Sequence, residues 1–225
     1  MYLVKLYLTN IHIAVLDIQK SIPIYYNRLI ISDCYGRIYK NLEKNIPQKF
    51  NNNLVFISAN SFQQNHIILG KLLRKYIFEI IIKNKISEIL CIGGESYLYG
   101  LTYDKIKIIY HYTNNIHIYN DCNNNNKFYK KNIVNNLIDY NDKNLNLIYN
   151  PNIKFCLLNL SNLSINLLKK INNNKYDNII IISCHHEDFW KKIKLLTNYK
   201  IKKREHFICE KLKYFLTVNI FIKNN

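Results

Sequence analysis

Residues 177–203, DNIIIISCHHEDFWKKIKLLTNYKIKK, decide the fold. Ile179, Ile180, Ile181 and Ile182, followed by Ser183, form an apolar run fit for a strand buried on both faces, as in a parallel sheet. A polar loop follows, His185-His186-Glu187-Asp188. Helical spacing then sets in from about 187 to 197, with Phe189, Trp190 and Ile193 on its buried face. A second strand begins near Lys200. Strand, loop, helix and strand make one unit of an α/β sheet. Cys184 stands where the first strand ends, and open α/β sheets place their chemistry at the carboxyl ends of strands. By itself a cysteine after a strand is as a rule a small buried hydrophobe. The segment leaves both roles open, core thiol and reactive thiol.

Working outward, the sequence predicts further strands at 88–92, 107–112, 116–119, 145–149, 154–159, 178–183, 200–208 and 215–223. It predicts helices at 63–84, 127–138, 164–171 and 187–197. Strands alternating with helices argue a doubly wound, mostly parallel sheet. The last two strands are separated only by residues 209–214, too few for a helix, so they form a C-terminal antiparallel hairpin. Residues 1–60 alternate apolar and polar side chains and are rich in β-branched and aromatic residues. They read as a small β-rich N-terminal cap, with short strands at 25–31, 37–40 and 53–58, before a main domain at 61–225. The asparagine runs at 51–53, 123–126 and 172–174 read as loop filler.

Lys and Arg total 32 against 15 Asp and Glu, a net charge of +17. A chain this basic expects a polyanion, most often nucleic acid. Only four of the cations are Arg (Arg28, Arg37, Arg74 and Arg204), which favours phosphate attraction over bidentate base reading. The six cysteines, Cys34, Cys91, Cys122, Cys156, Cys184 and Cys209, contain no C-x-x-C pair, so no zinc or iron–sulfur site is expected. Residues 1–17 carry Lys5 and Asp17 and no small-residue cleavage site, so reduced cysteines and an intracellular, cytoplasmic location are expected. No apolar run reaches about 18 residues, so no membrane span is expected.

The strand at 88–92 runs into Gly93-Gly94-Glu95. Such glycines let backbone approach a nucleotide-like cofactor, and the N–H groups of the turn bind its polar atoms. A plain tight turn uses the same residues.

Three stretches together resemble the RNA 5-methyluridine (uracil-C5) methyltransferase family, within the class I S-adenosylmethionine-dependent methyltransferases. In Phe56-ISANSFQQNH, Ser61, Phe62 and Gln64 are similar to that family's Ser-Phe-x-Gln before the cofactor strand. Ile89-LCIGGES stands at the place of its glycine loop. Asn159 lines up with the Asp of its Asp-Pro-Pro-Arg motif, and Ser183-Cys184 match its Ser-Cys nucleophile motif. The resemblance covers about residues 50–225. It implies a Rossmann-like seven-stranded sheet, S-adenosylmethionine as cofactor, RNA (tRNA or rRNA-like) as partner, and no metal. It implies Cys184 as nucleophile and Glu210 as candidate base. It implies Gln64, Gly93, Gly94, Glu95, Asn159 and an acid near the second strand, for which Asp121 is chosen, around the cofactor. The chain departs from the family's pattern at Asn159-Leu160-Ser161-Asn162, which replaces Asp-Pro-Pro-Arg, and at His185-His186, which replaces Asn-Pro. No acid follows Glu210 in the last hairpin. These departures keep a second expectation open, a degenerate methyltransferase fold serving as a basic RNA- or partner-binding module.

Overall fold

In a computed structural model of the chain, which describes residues 2–5, 30–33, 38–41, 45–58, 61, 67–143, 145–147, 152–160, 162–174, 176–183, 187–209 and 214–224, the apolar runs become strands. Near the N-terminus β1 (Tyr2–Lys5), β2 (Ile30–Asp33) and β3 (Ile38–Asn41) form a small antiparallel sheet. β4 (Asn45–Phe50) and β5 (Asn53–Ser58) form a hairpin. Asn51 and Asn52 turn it, at φ 48° and 68°, the left-handed pair that a two-residue hairpin demands and that Asn tolerates.

The main sheet follows. Its elements are α1 (Ile67–Lys83), β6 (Glu88–Ile92), α2 (Ser96–Leu101), β7 (Ile108–Thr113), α3 (Ile116–Tyr129), β8 (Asn132–Leu137), β9 (Phe155–Asn159), α4 (Ile165–Asn173), β10 (Asn178–Ser183), α5 (Glu187–Ile193), β11 (Tyr199–Cys209) and β12 (Tyr214–Lys223). Seven strands line up as β11-β12-β10-β9-β6-β7-β8. β12 runs antiparallel to both of its neighbours, and every other pairing is parallel. This is the doubly wound, mostly parallel sheet with a C-terminal antiparallel hairpin that the sequence predicts.

The period-2 alternation of strands splits the core in two. Ile89 and Cys91 of β6, Leu157 of β9, and Ile180 and Ile182 of β10 face α1, α2 and α3, meeting Leu73, Ile77, Leu98 and Ile118. Leu90, Ile92, Leu158, Ile179 and Ile181 face the other way, against Leu167, Leu168 and Ile171 of α4 and Phe189 and Ile193 of α5. Phe50, Val55 and Ile57 of the β4–β5 hairpin belong to the first core. Each buried side chain of this kind contributes roughly 1.5–3 kcal/mol, so the hairpin is held firmly to the sheet domain.

Four expectations are corrected. Residues 116–119 are the first turn of α3, not a strand, because the Asn115 side chain accepts from the N–H groups of His117 and Ile118 and caps a helix there. The helix expected at 127–138 is the end of α3 followed by β8. Lys130 turns left-handed at φ 51° and stops the helix, and residues 132–137 then pair in parallel with β7. Leu145 and Leu147 are buried in the second core but lie in no strand. Asn123–Asn126 is helix rather than loop filler: Asn125 is fully buried in α3. Its Oδ1 accepts from the N–H of Phe56 at 2.7 Å and its Nδ2 donates to the Phe56 carbonyl at 2.6 Å. That side chain closes an edge of β5 as a neighbouring strand would.

Candidate active site

The chain winds outward from β6 through β7 to β8, then returns to β9 on the other side of β6. The carboxyl ends of β6 and β9 form the switch point, where open α/β sheets bind ligands in a crevice. β6 ends in Gly93 and Gly94, at φ 69° and 48°. Both are left-handed, which glycine adopts without strain. The Gly93 N–H donates to the Tyr112 carbonyl at the end of β7, at 2.9 Å. Ser96 returns its hydroxyl and N–H to the Gly93 carbonyl. The turn lies against β9: a Cβ on Gly94 would stand 2.8 Å from the Asn159 carbonyl oxygen and 2.9 Å from its Cγ. A Cβ on Gly93 would strike the Leu160 side chain. Two of the expected site elements, the glycine pair and Asn159, are thus brought into contact. Asn159 is 3 % exposed, and its Nδ2 is without a hydrogen-bond partner among the described residues. An unpaired amide of this kind is costly unless a ligand or water completes it.

Glu95 takes another part. It is 1 % exposed, and both carboxylate oxygens accept from Arg74 of α1, at 3.1 and 2.8 Å. The guanidinium lies over the Phe50 ring at 5.0 Å. Burial works to lower the Arg74 pKa, but Glu95 outweighs it and holds the guanidinium above its usual value. Glu95 therefore points at α1 and ties the glycine turn to the helix and the hairpin. Sequence reading passed over Arg74. The signal was its rarity, one of four arginines among 32 cations, since a buried forked partner for a carboxylate favours Arg over Lys.

Asp121 sits on α3, eight residues beyond Thr113 at the end of β7, where Asn114 and Asn115 follow instead of an acid. Its Oδ2 accepts from the Ser58 N–H at 2.8 Å, the Ser58 hydroxyl at 3.1 Å and the Ser61 hydroxyl. Burial raises its pKa, while the serine bonds oppose that shift. Asp121 thereby fastens the segment that leads towards Gln64 onto the helix after β7. Gln64, Cys184, His185, His186 and Glu210 lie outside the described residues. Ser183, which directly precedes Cys184, closes β10, where Ile182 pairs with Asn159 of β9. The described cysteines, Cys91, Cys122 and Cys156, are buried core thiols whose pKa values burial pushes up. They are inert by the usual criterion.

His111 of β7 is a further polar residue that the sequence did not single out. It is fully buried. Asn135 commits its Nδ2 to the Tyr119 carbonyl and to Asn123 Oδ1, so its Oδ1 faces the ring at 2.7 Å. Nδ1 therefore carries the proton, and Nε2 is left without a partner among the described residues. Burial pulls the His111 pKa down to about 4. Among the described residues no three His, Cys, Asp or Glu side chains gather as a metal site, and no helix is long and apolar enough to cross a membrane.

No protein-family model matches the chain, and no curated protein matches it. Solved structures do. The Pyrococcus abyssi tRNA (uracil-54, C5)-methyltransferase in complex with S-adenosyl-L-homocysteine aligns with a TM-score of 0.64, at 17% identity, over 83% of this chain and 47% of its own. M. jannaschii TYW2 in complex with AdoMet aligns at 0.59 and 16% identity, over 85% of this chain and 92% of its own. The M. jannaschii tRNA m1G37 methyltransferase aligns at 0.61 and 15% identity, over 84% of this chain and 58% of its own. The chain thus spans about half the length of the first of these proteins and nearly all of the second. With the strand order, these likenesses show that the chain has the Rossmann-like fold of class I methyltransferases.

Proposed function

We propose that this chain binds S-adenosylmethionine at the β6–β9 crevice and methylates RNA, with carbon 5 of uridine as the acceptor. One observation carries the cofactor reading: the left-handed Gly93–Gly94 turn pressed against Asn159, whose buried amide has no partner among the described residues. The residues fit the cofactor there. Backbone at the turn can approach without a Cβ in the way, and Asn159 Nδ2 has a hydrogen to donate. The resemblance adds Gln64, three residues after Ser61, whose hydroxyl bonds Asp121. When bound, S-adenosylmethionine supplies an electrophilic methyl group on a sulfonium.

Carbon 5 of uracil is a poor nucleophile by itself. The Cys184 thiolate forms a bond to carbon 6, and the electron pair moves to carbon 5 and the carbonyl at position 4. After carbon 5 has gained its methyl group, its proton passes to a base, for which Glu210 is the candidate, and the thiolate leaves. Support for Cys184 comes from its place in the sequence, directly after β10, the strand that pairs with β9. RNA as substrate is supported by the net charge of +17 and by the neighbours, which are tRNA methyltransferases by name.

The test is RNA carrying 5-fluorouridine, incubated with the chain and S-adenosylmethionine and run on a denaturing gel. The wild type forms a covalent RNA adduct and Cys184→Ala forms none. Methylation of ordinary uridine RNA by Cys184→Ala at the wild-type rate would remove the nucleophile. A second reading is a fold that has lost catalysis. It is favoured by the two acids described near the crevice, both occupied, Glu95 by Arg74 and Asp121 by Ser58 and Ser61. Cofactor binding with no transfer to any RNA would support it.

A further inference from the structure

We propose that the outer edge of the sheet is a track for an RNA phosphate backbone, with Arg204 as its fixed guanidinium. The proposal rests on RNA being the substrate and names the surface that brings it to the site. β11 ends the sheet at that edge. Lys200, Lys202, Lys203 and Arg204 are all exposed along it. Glu205 is the acid among them, and Lys203 pairs with it at 2.5 Å. Of the helices touching this edge, α1 is basic; it meets the edge through Tyr76 and carries exposed Lys75. α5 meets it through Trp190 and carries exposed Lys191, its two lysines balanced in sequence by Glu187 and Asp188.

Lysines on an edge strand also serve to keep foreign strands from adding to a sheet. That role needs charge alone, and it does not account for Arg204. Its guanidinium lies 3.8 Å from the centre of the Trp190 ring, and its Nε donates to Asn219 Oδ1 at 3.1 Å. Asn219 is fully buried and therefore a rigid anchor. A one-residue slip in the pairing at Lys202, between Ile201 and Lys203, sets the faces of this strand. Beyond the slip Arg204 falls on the α5 side, and Lys203 falls on the α1 side over Tyr76 at 5.2 Å. A stacked, singly bonded Arg keeps its terminal nitrogens for an anion, and no described residue bonds them. Planar guanidinium groups suit phosphate.

The track leads to the site. Arg204 pairs with Asn219, which pairs with Ile181 of β10, and His206 pairs with Thr217, which pairs with Ser183. At about 3.3 Å per residue along a strand and about 4.8 Å between strands, Arg204 stands roughly 7 Å along and two strands across from the strand end that Cys184 follows, about 12 Å in all.

The test measures binding of an unmodified tRNA transcript between about 50 and 200 mM salt. The variants are Lys200→Gln/Lys202→Gln/Lys203→Gln and, separately, Arg204→Lys. Each phosphate contact contributes about 0.7–0.9 to the slope of log affinity against log salt. The triple variant should lose about 2–3 from that slope and bind at least about tenfold more weakly. Arg204→Lys should keep the slope, because the charge stays, and lose about three- to tenfold in affinity with the fork and the stack. S-adenosylhomocysteine affinity should not change in either. A triple variant with the wild-type slope and affinity overturns the track and leaves RNA as substrate intact. A wild type that binds no tRNA overturns both. Loss of binding to phosphatidylserine vesicles in these variants, with tRNA binding unchanged, would assign the edge to a membrane surface and overturn the proposal.

Discussion

Replacing Gly94 by Ala tests the cofactor site most directly. The backbone stands at φ 48° there, where an L side chain costs about 1–2 kcal/mol. The added Cβ would also lie 2.8 Å from the Asn159 carbonyl oxygen, 2.9 Å from its Cγ and 3.0 Å from its Nδ2. The first of these is backbone at the end of β9, so the turn must move by several tenths of an ångström. The expected loss of stability is about 2 kcal/mol, or about 4–8 °C in Tm for a chain of this size. The turn would withdraw its N–H groups from the ligand, and one or two lost hydrogen bonds weaken binding by about tenfold. Isothermal titration with S-adenosylhomocysteine, well below the variant's Tm, reads this. Gly100→Ala is the control. Its Cβ would press, at 2.8 to 3.1 Å, on the fully buried side chains of Ile109 and Ile89 rather than on the turn, so Tm should drop while affinity holds. Unchanged affinity in Gly94→Ala, or an equal loss in both variants, would refute the cradle.

Two further outcomes follow from buried polar groups. Arg74→Ala leaves the Glu95 carboxylate, 1 % exposed, without its cation and should cost about 3 kcal/mol in urea denaturation. Adding Glu95→Gln to that background should restore part of the loss, and no restoration would mean that Arg74 acts by packing alone. His111 has a folded pKa of about 4 against an ordinary 6.5, so the unfolded chain takes up a proton first as pH falls. Stability from this residue is complete above about pH 6.5 and declines towards pH 4, by up to about 3 kcal/mol. The difference in denaturation midpoint between wild type and His111→Gln should shrink over that window, and a constant difference would exclude His111 as its source.

Strands buried on both faces were legible because their interior positions have to be apolar: Glu88–Ile92, Phe155–Asn159 and Asn178–Ser183 read plainly as EILCI, FCLLN and NIIIIS, polar only at their ends. The last hairpin was legible from the shortness of its connection. Residues 116–119 misled because Ile-His-Ile-Tyr alternates like a strand, while the Asn115 cap and docking on β5 decided for a helix. The asparagine run misled because composition assigns Asn to loops, whereas a fully buried Asn125 can match a peptide edge with one acceptor and one donor.

By itself, the sequence determined the alternation of the sheet, the glycine turn at its centre, and the cysteine after β10 as a candidate for chemistry. All of these depend on residues adjacent in the chain, where period and backbone freedom act. Only the tertiary structure decided what each polar group does. Glu95 faces an arginine 21 residues away, and Asp121 faces a serine 60 residues away. Asn159 meets a turn 65 residues before it, a contact that exists because β9 returns to pair beside β6. A carboxylate's role is set by the partner that burial forces on it, and that partner comes from parts of the chain that local pattern does not connect.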